Sequence, residues 1–230
     1  MSVTLPFPSQ RHSWTDDELL AVNAELEHAP ASKIIGWAVE QFGPHLCLAA
    51  SMNDAVLIDL AVKVDPAIEV VFIDTGYHFP ETLATVETVR RRYGLNMKIM
   101  TAPENTELLW QIDPDNCCSA LKVQQLDRAL AGKAAWMSGI RRTEADTRAT
   151  AHVVGRDLRG LVKVNPIAQW TDLDVEGYIA EHDVPVNPLL RQGYGSIGCM
   201  PCTEPVAEGE DARAGRWRGR SKTECGLHVS

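Results

Sequence analysis

The chain has 230 residues, of which 45% are hydrophobic and 23% are charged, and its formal net charge is −9. This length allows a full hydrophobic core, and the composition is that of an ordinary soluble globular protein. The acidic balance argues against a general nucleic-acid binder, and no apolar run approaches the roughly 18 residues that cross a bilayer. The N-terminus lacks a basic segment followed by an apolar stretch, so we expect no secretory signal and a cytoplasmic protein.

The first predicted elements are two helices. Thr15 stands three residues before Glu18 in "WTDDELLAVNAELEH", a capping-box pattern that predicts the start of an amphipathic helix. The pattern of "ASKIIGWAVEQF" predicts a second helix that ends at Gly43. We therefore expect residues 1–43 to form a helical N-terminal part.

Short apolar runs then alternate with helical periodicity across residues 44–186. The strand-like runs are "HLCLAA", "EVVFID", "NMKIMTA" and "AAWMSGI". The helical ones are "DAVLIDLAVKV", "ETLATVETVRRRYG", "SALKVQQLDRALAG" and "TDLDVEGYIAEHD". This alternation predicts an α/β fold with a mostly parallel sheet flanked by helices. Ligands bind beyond the carboxyl ends of such strands, which are followed here by "SMND" and "DTGYHFPET". No glycine pattern of a P-loop or of a dinucleotide-binding loop follows a strand.

Regular periodicity ends at Asn187. The last stretch, residues 187–230, is rich in glycine, proline and charge, and irregular segments of that length are usually functional or disordered. We expect it to form a loop followed by a flexible C-terminal tail. No internal repeat is present, so we predict a single domain over residues 1–230 with its nucleotide-binding core at 44–186.

Four of the six cysteines stand in two tight pairs. "DNCCSA" holds Cys117 and Cys118, and "GCMPC" holds Cys199 and Cys202. In a reducing compartment such thiols are candidate metal ligands rather than disulfides. Adjacent cysteines at the start of a helix point about 100° apart, which favours a [4Fe–4S] cluster over one zinc ion, with zinc as the alternative. Buried reduced cysteines are the remaining interpretation, and the double pairing argues against it.

The other two cysteines differ in their surroundings. Cys47 lies inside a predicted strand and is interpreted as a core residue. Cys225 lies near the C-terminus in "KTECGLHVS" and has basic residues on both sides of it in sequence. Cationic neighbours lower the pKa of a thiol and attract anions, although a basic segment can equally be a solvated surface.

The order of six segments carries a resemblance to a known family. They are "VFIDTGYHFPET", "CCSALK", "GIRRTEADTR", "KVNPIAQWT", "GCMPCT" and "KTECGLH". In this order they closely resemble the assimilatory adenylyl-sulfate (APS) reductases of the APS/PAPS reductase family, from about residue 46 to residue 228. The resemblance implies the fold of the ATP pyrophosphatases, also called adenine nucleotide alpha hydrolases.

The resemblance also implies an activity. APS would be reduced to sulfite and AMP, with thioredoxin or a glutaredoxin-like protein as electron donor, as a step of sulfate assimilation. Cys225 matches the family's nucleophile, which forms an S-sulfocysteine intermediate. A mobile tail suits a thiol that serves a pocket and then a second protein, so a closing C-terminal lid is predicted.

The resemblance further implies the site residues and the cofactor. The ligands of one [4Fe–4S] cluster per chain match Cys117, Cys118, Cys199 and Cys202. The positions that contact substrate in the family match Ser51, Lys122, Gly139, Arg148, Arg213, Arg216 and His228. The four cluster cysteines favour APS over PAPS, because PAPS-specific members lack them. No nucleic acid and no membrane is expected among the partners.

Two positions depart from the family pattern. Many relatives carry a cation where this chain has Leu121, and the "SMND" loop lacks a glycine that relatives often have. Three alternatives stay open: a PAPS or dual-specificity reductase, an ATP pyrophosphatase that thiolates RNA, and a non-catalytic module organised by metal. The acidic charge and the missing glycine-rich loop argue against RNA thiolation, and ATP consumption would argue for it.

Overall fold

In the computed structural model, the structure describes residues 13–103, 109–220, 222–224 and 226–227. Six strands form one sheet in the order β3-β2-β1-β4-β6-β5. The strands are β1 (Leu46–Ala50), β2 (Glu69–Asp74), β3 (Asn96–Thr101), β4 (Ala135–Ser138), β5 (Val154–Arg156) and β6 (Val162–Val164). All pairings are parallel except β5 with β6, which are antiparallel. The predicted mostly parallel sheet is therefore confirmed.

Eight α-helices accompany the sheet in the described part of the chain. They are α1 (Asp16–Leu26), α2 (Ala31–Phe42), α3 (Val56–Val64), α4 (Pro80–Tyr93), α5 (Leu109–Ile112), α6 (Pro114–Cys118), α7 (Gln124–Leu130) and α8 (Asp172–His182). A π-helical segment, Ser119–Val123, joins α6 to α7. No helix of these described residues is both long enough and apolar enough to cross a membrane.

The N-terminal helices start and stop where the sequence predicts. Thr15 Oγ1 accepts a hydrogen bond from the Glu18 amide, and the Glu18 carboxylate accepts one from the Thr15 amide, so the capping box of α1 is complete. Helix α2 ends at Gly43, whose φ of 46° is readily adopted only without a β-carbon. Both predictions are confirmed.

The core has two faces because side chains alternate along each strand. Leu46 and Leu48 of β1 pack with the cluster that includes helices α1, α2 and α3, whereas Cys47 between them faces the opposite side. There it packs against Trp136 and Leu126 of β4 and α7. The sheet is thus covered on both sides, which explains why its strands read as continuous apolar runs.

Strands β5 and β6 are absent from the sequence-based prediction. They are three residues each and are joined by a turn in which Asp157 Oδ1 accepts hydrogen bonds from the amides of Arg159 and Leu161. The signal for this hairpin is the turn sequence "DLRG" between two short apolar runs.

The segment after Asn187 is irregular but held to the core. Isolated bridges join Asp54 to Val186 and His78 to Cys199, and a further bridge within the segment joins Thr203 to Arg216. Two short 3₁₀ turns lie between these bridges. The lack of periodicity therefore indicates irregular backbone in the described residues and not the absence of structure.

Candidate functional site

A cavity of about 200 Å³ opens at the carboxyl ends of β1 and β4. Apolar side chains such as Leu57 and Phe72 form part of its wall, and Lys122 together with arginines forms another part. A wall of this mixed chemistry suits a ligand that joins a flat apolar ring to an anion. The predicted substrate-binding residues that line it are Ser51, Lys122, Gly139, Arg148, Arg213 and Arg216.

The loop after β1 reaches its shape without a glycine. Met52, in "SMND", has a φ of 63°, which is the left-handed conformation that a glycine adopts at least cost. Its side chain is completely buried in the main core cluster, and this packing offsets a strain of roughly 1 kcal/mol or more. The loop of this chain therefore makes a left-handed turn at Met52 although it has no glycine. Ser51 beside it is exposed at the cavity.

The two adjacent arginines of "GIRRTE" face different ways. Arg141 lines the cavity. Arg142 points away from it and binds the Glu27 carboxylate through Nη1 at 2.5 Å and Nη2 at 3.1 Å. The hydrogen bond from Arg142 lowers the pKa of Glu27 to about 2, against a smaller opposing effect of burial. Arg142 therefore fastens α1 to the loop that carries Arg141.

Arg148 lies between two carboxylates at the cavity wall. Its Nη1 is 2.5 Å from Glu144 Oε2, and its Nε is 2.9 Å from Glu224 Oε1. Only 10% of the Arg148 side chain is exposed. Such a buried guanidinium is held firmly and presents a planar fork that matches a carboxylate, a phosphate or a sulfate.

The four paired cysteines line a second, smaller cavity next to the first. Cys117 and Cys118 lie at the end of α6. Cys199, which forms the bridge with His78, and Cys202 lie at the two ends of a short 3₁₀ turn. Thr75 Oγ1 lies 3.3 Å from Cys199 Sγ. All of these thiols are free of disulfides. Among the residues that the structure describes, no three metal-binding side chains converge as they would around a single ion.

Electrostatics links the four thiols to one another. The pKa of Cys117 is raised to about 11, mainly by burial and then by the charges of Cys118, Cys199 and Cys202, while Lys122 opposes the rise. Burial and Cys199 also raise the pKa of Cys202. An all-sulfur donor set that repels itself when ionised is the chemistry that an iron–sulfur cluster stabilises, and four thiols around a cavity wider than one ion fit such a cluster better than a zinc ion.

Three side chains separate the two cavities. Lys122, Arg216 and Trp217 line both of them. The guanidinium of Arg216 stacks over the Trp217 ring at 4.4 Å and donates to Ser196 Oγ at 3.2 Å. Because Lys122 and Arg216 border both cavities, a negative charge bound in one cavity influences, through these two cations, the binding of an anion in the other.

Leu121, the other departure from the family pattern, points into the protein. It is only 1% exposed and lines the cysteine cavity beside Lys122. The leucine thus supplies packing at this position. The cationic part of the cavity wall is formed by the neighbouring Lys122 and by arginines distant in sequence.

The basic residues before Cys225 divide into two groups. Arg213 and Arg216 line the large cavity. Arg218 pairs with Glu210 at the surface, Arg220 donates to the Trp110 carbonyl, and Lys222 binds Asp115. The segment is therefore neither a uniform solvated surface nor a uniform anion site.

Two predicted site residues, Cys225 and His228, lie outside the described residues. The residues on either side of Cys225 are described, and Glu224 and Leu227 both line the large cavity. Leu227 also packs against the core cluster that contains Trp136. The sequence-based prediction missed Glu224, although it stands next to the cysteine in "KTECGLH".

Comparisons with known proteins agree on one family. Residues 44–205 match the model of the phosphoadenosine phosphosulfate reductase domain. An adenosine 5′-phosphosulfate reductase of Streptomyces coelicolor is 50% identical over 227 residues, which cover 93% of this chain and 96% of that protein. Another from Mycobacteroides abscessus is 49% identical over 217 residues, covering 90% and 91%.

Solved structures show the same relationship. A phosphoadenylyl-sulfate (PAPS) reductase from Candida auris, in a phosphate complex, superposes with a TM-score of 0.75 at 26% identity, covering 86% of this chain and 100% of that one. An FMN adenylyltransferase from Candida glabrata superposes with a TM-score of 0.59 at 15% identity, covering 84% and 70%. The second likeness concerns the fold alone, and it agrees with the predicted α/β fold.

Proposed function

Since this chain belongs to the phosphoadenosine phosphosulfate reductase family, we propose that it reduces APS to sulfite and AMP in sulfate assimilation. The observation that carries the proposal is one cavity at which Lys122, Arg148, Arg213 and Arg216 meet the residues that flank Cys225. Apolar wall residues near Gly139 suit the adenosine, and the cations suit the phosphosulfate. The near relatives are named for this same substrate.

The proposed chemistry is covalent catalysis by the thiolate of Cys225. The thiolate attacks the sulfur of APS, so a sulfur–sulfur bond forms, the sulfur–oxygen bond breaks, and AMP leaves with the electron pair on its phosphate oxygen. A thiolate of thioredoxin, or of a glutaredoxin-like donor, then attacks Cys225 Sγ and expels sulfite, and its second thiol resolves the mixed disulfide. The cations neutralise the charge of the phosphosulfate and of the departing phosphate.

We further propose that Cys117, Cys118, Cys199 and Cys202 hold a [4Fe–4S] cluster. The four free thiols at one small cavity support this proposal. When bound, the cluster supplies an electrostatic field and joins two distant parts of the chain. Lys122 and Arg216 lie at the boundary of that cavity and orient the anion on the other side of it.

The remaining predictions concern the tail, the domain and the compartment. A tail that carries the nucleophile serves both the cavity and a donor protein, and His228 is the further substrate contact that we assign to it.

Helices α1 and α2 pack on the same core cluster as the sheet, which supports a single domain. Four thiols reserved for ligation suit a reducing compartment, so we place the protein in the cytoplasm.

A PAPS reductase is the second candidate, because the Candida auris enzyme superposes over the whole of its own chain. Intact-protein mass spectrometry after anaerobic incubation with APS or with PAPS, without a thiol donor, separates the two. We expect an adduct of one SO₃ group, formed with APS, mapped to Cys225 and removed by thioredoxin. An adduct with PAPS as well would make the chain a dual-specificity reductase.

Two variants complete the test. Cys225→Ser should form no adduct while keeping its iron, and Cys47→Ser, a matched change at a buried core thiol, should form the adduct normally. Absence of the adduct in the iron-loaded wild-type protein would refute the proposed function. ATP consumption in that case would favour the RNA-thiolating alternative.

A further inference from the structure

The carboxylate of Glu224 is surrounded by donors that belong to the anion-binding wall. Arg148 donates to it through Nε at 2.9 Å and Nη2 at 3.1 Å. Arg213 Nη2 lies 3.1 Å from Glu224 Oε2, and Thr147 Oγ1 lies 3.3 Å from Glu224 Oε1. Only 13% of the Glu224 side chain is exposed. One carboxylate therefore occupies both arginines at once.

The carboxylate is in its charged form. Burial by itself would raise the pKa of Glu224, but the hydrogen bond from Arg148 and the charges of Arg148 and Arg213 outweigh burial and hold the pKa below its usual value. Glu144 binds the remaining edge of Arg148. The two arginines and the two glutamates thus form a cluster whose net charge is close to zero.

The same contacts fasten the tail. Arg213 Nη2 also donates to the Thr223 carbonyl at 2.9 Å, so two consecutive residues just before Cys225 are held by this arginine. A guanidinium edge that binds a carboxylate in two-pronged fashion has no free N–H group left on that edge for a second anion. An anion that binds this edge of Arg148, or Nη2 of Arg213, therefore has to compete with Glu224.

We propose that Glu224 is a positioning residue that occupies the phosphosulfate-binding arginines in advance of the substrate and is displaced when the substrate's anion binds them. The inference rests on the proposed function, because it takes Arg148 and Arg213 as anion ligands. Displacement of Glu224 breaks its contacts with Arg148 and Arg213, so arrival of the anion loosens the segment that carries the nucleophile. The carboxylate also keeps the two guanidiniums in place and lowers the repulsion between them.

The test compares Glu224→Gln with the wild-type holoprotein in calorimetric titrations with AMP and with adenosine. Gln keeps the shape and removes the charge, so AMP should bind on the order of 5- to 50-fold more tightly in the variant, with adenosine binding unchanged. Glu210→Gln is the matched control, because Glu210 also pairs with an arginine, Arg218, but at the surface. It should change neither affinity.

The opposite results overturn the inference. Weaker binding of both ligands by Glu224→Gln would make Glu224 a structural support of the arginines, and unchanged AMP binding would mean that no competition exists. The S-sulfocysteine adduct of the wild-type protein tests the proposed function separately. Adduct formation without an AMP-specific gain in the variant defeats only this inference, whereas an AMP-specific gain without any adduct defeats only the proposed reaction.

Hydrogen exchange in the wild-type holoprotein tests displacement without any variant. AMP should increase exchange of the backbone amides in the peptide that contains residues 222–227, and adenosine should leave it unchanged. Equal or reduced exchange with AMP would show that the tail stays fastened and would overturn displacement.

Discussion

Replacement of Gly198 by alanine tests whether the position of Arg216 controls the reaction. A β-carbon at residue 198 would lie 2.3 Å from Arg216 Nη2 and 2.5 Å from its Cζ. Ordinary contact begins near 3.4 Å, so the guanidinium has to retreat by about 1 Å. The clashing atoms are the far end of the long Arg216 side chain, which lines the large cavity, so we expect its charged end to move while the backbone keeps its path.

We expect Gly198→Ala to lower the reaction rate strongly and the thermal stability only slightly. A displacement of about 1 Å in a group that positions substrate can lower a rate roughly 100-fold. The melting temperature should change by less than about 4 °C, because a glycine-to-alanine change at a site that relaxes costs or gains about 1 kcal/mol at most. The variant should hold as much iron as the wild-type protein if the proposed cluster is present, which checks that Cys199, the next residue, is unaffected.

The assay is the single-turnover rate of adduct formation with APS, measured for Gly198→Ala, Arg216→Ala and the double variant. If the glycine acts only by making room for the arginine, the double variant reacts as slowly as Arg216→Ala and no more slowly. Gly177→Ala is the control, since a β-carbon there meets nothing within 4 Å. Additive losses in the double variant, or a full rate in Gly198→Ala, would refute the reasoning.

Three further outcomes follow from buried groups. Asp59 is buried and accepts a hydrogen bond from Tyr178 Oη at 2.6 Å. Asp59→Asn should therefore lower the free energy of unfolding by about 2–4 kcal/mol in denaturant titrations. Its effect and that of Tyr178→Phe should not add, because the two side chains share this hydrogen bond. The Lys163 amine lies over the Trp136 ring, and burial lowers its pKa to about 8. Between pH 8 and 10.5 the unfolded chain therefore binds more protons than the folded protein, so the free energy of unfolding rises with pH in this range. The charged groups around this amine are Asp157, Arg148, Arg159 and Glu224. Lys163→Met should remove that rise in unfolding measurements across this pH range, and an unchanged rise would assign it to another group. Burial raises the pKa of Cys47 to about 12, so alkylation at pH 8 followed by mass spectrometry should find it unmodified until the protein unfolds.

The sequence predicts the elements whose patterns are local. The capping box at Thr15 and the glycine stop at Gly43 set the ends of their helices through contacts a few residues apart. Strands β5 and β6 escape prediction because three residues are too few for a periodic pattern, and their pairing depends on the turn at Asp157. The π-helical segment also has no sequence signal that we can identify.

The sequence indicates candidate site residues but not the contacts that connect them. Cysteine spacing indicates a shared ligand set, yet only the fold brings Cys117 and Cys199 to one cavity. The opposite directions of Arg141 and Arg142 depend on Glu27, a partner 115 positions from Arg142. The occupation of Arg148 by Glu224 likewise joins positions 76 residues apart, beyond the reach of any local pattern.

The positions of the cysteines along the chain also determine when their site can form during synthesis. The last strand of the sheet ends at Val164, whereas the second cysteine pair begins only at Cys199. At roughly 5–20 residues per second, the ribosome needs about 4–16 s to add the roughly 80 residues that separate the two pairs. The sheet can therefore assemble before the four thiols are all present, so insertion of the proposed cluster would be one of the last steps in the maturation of the protein.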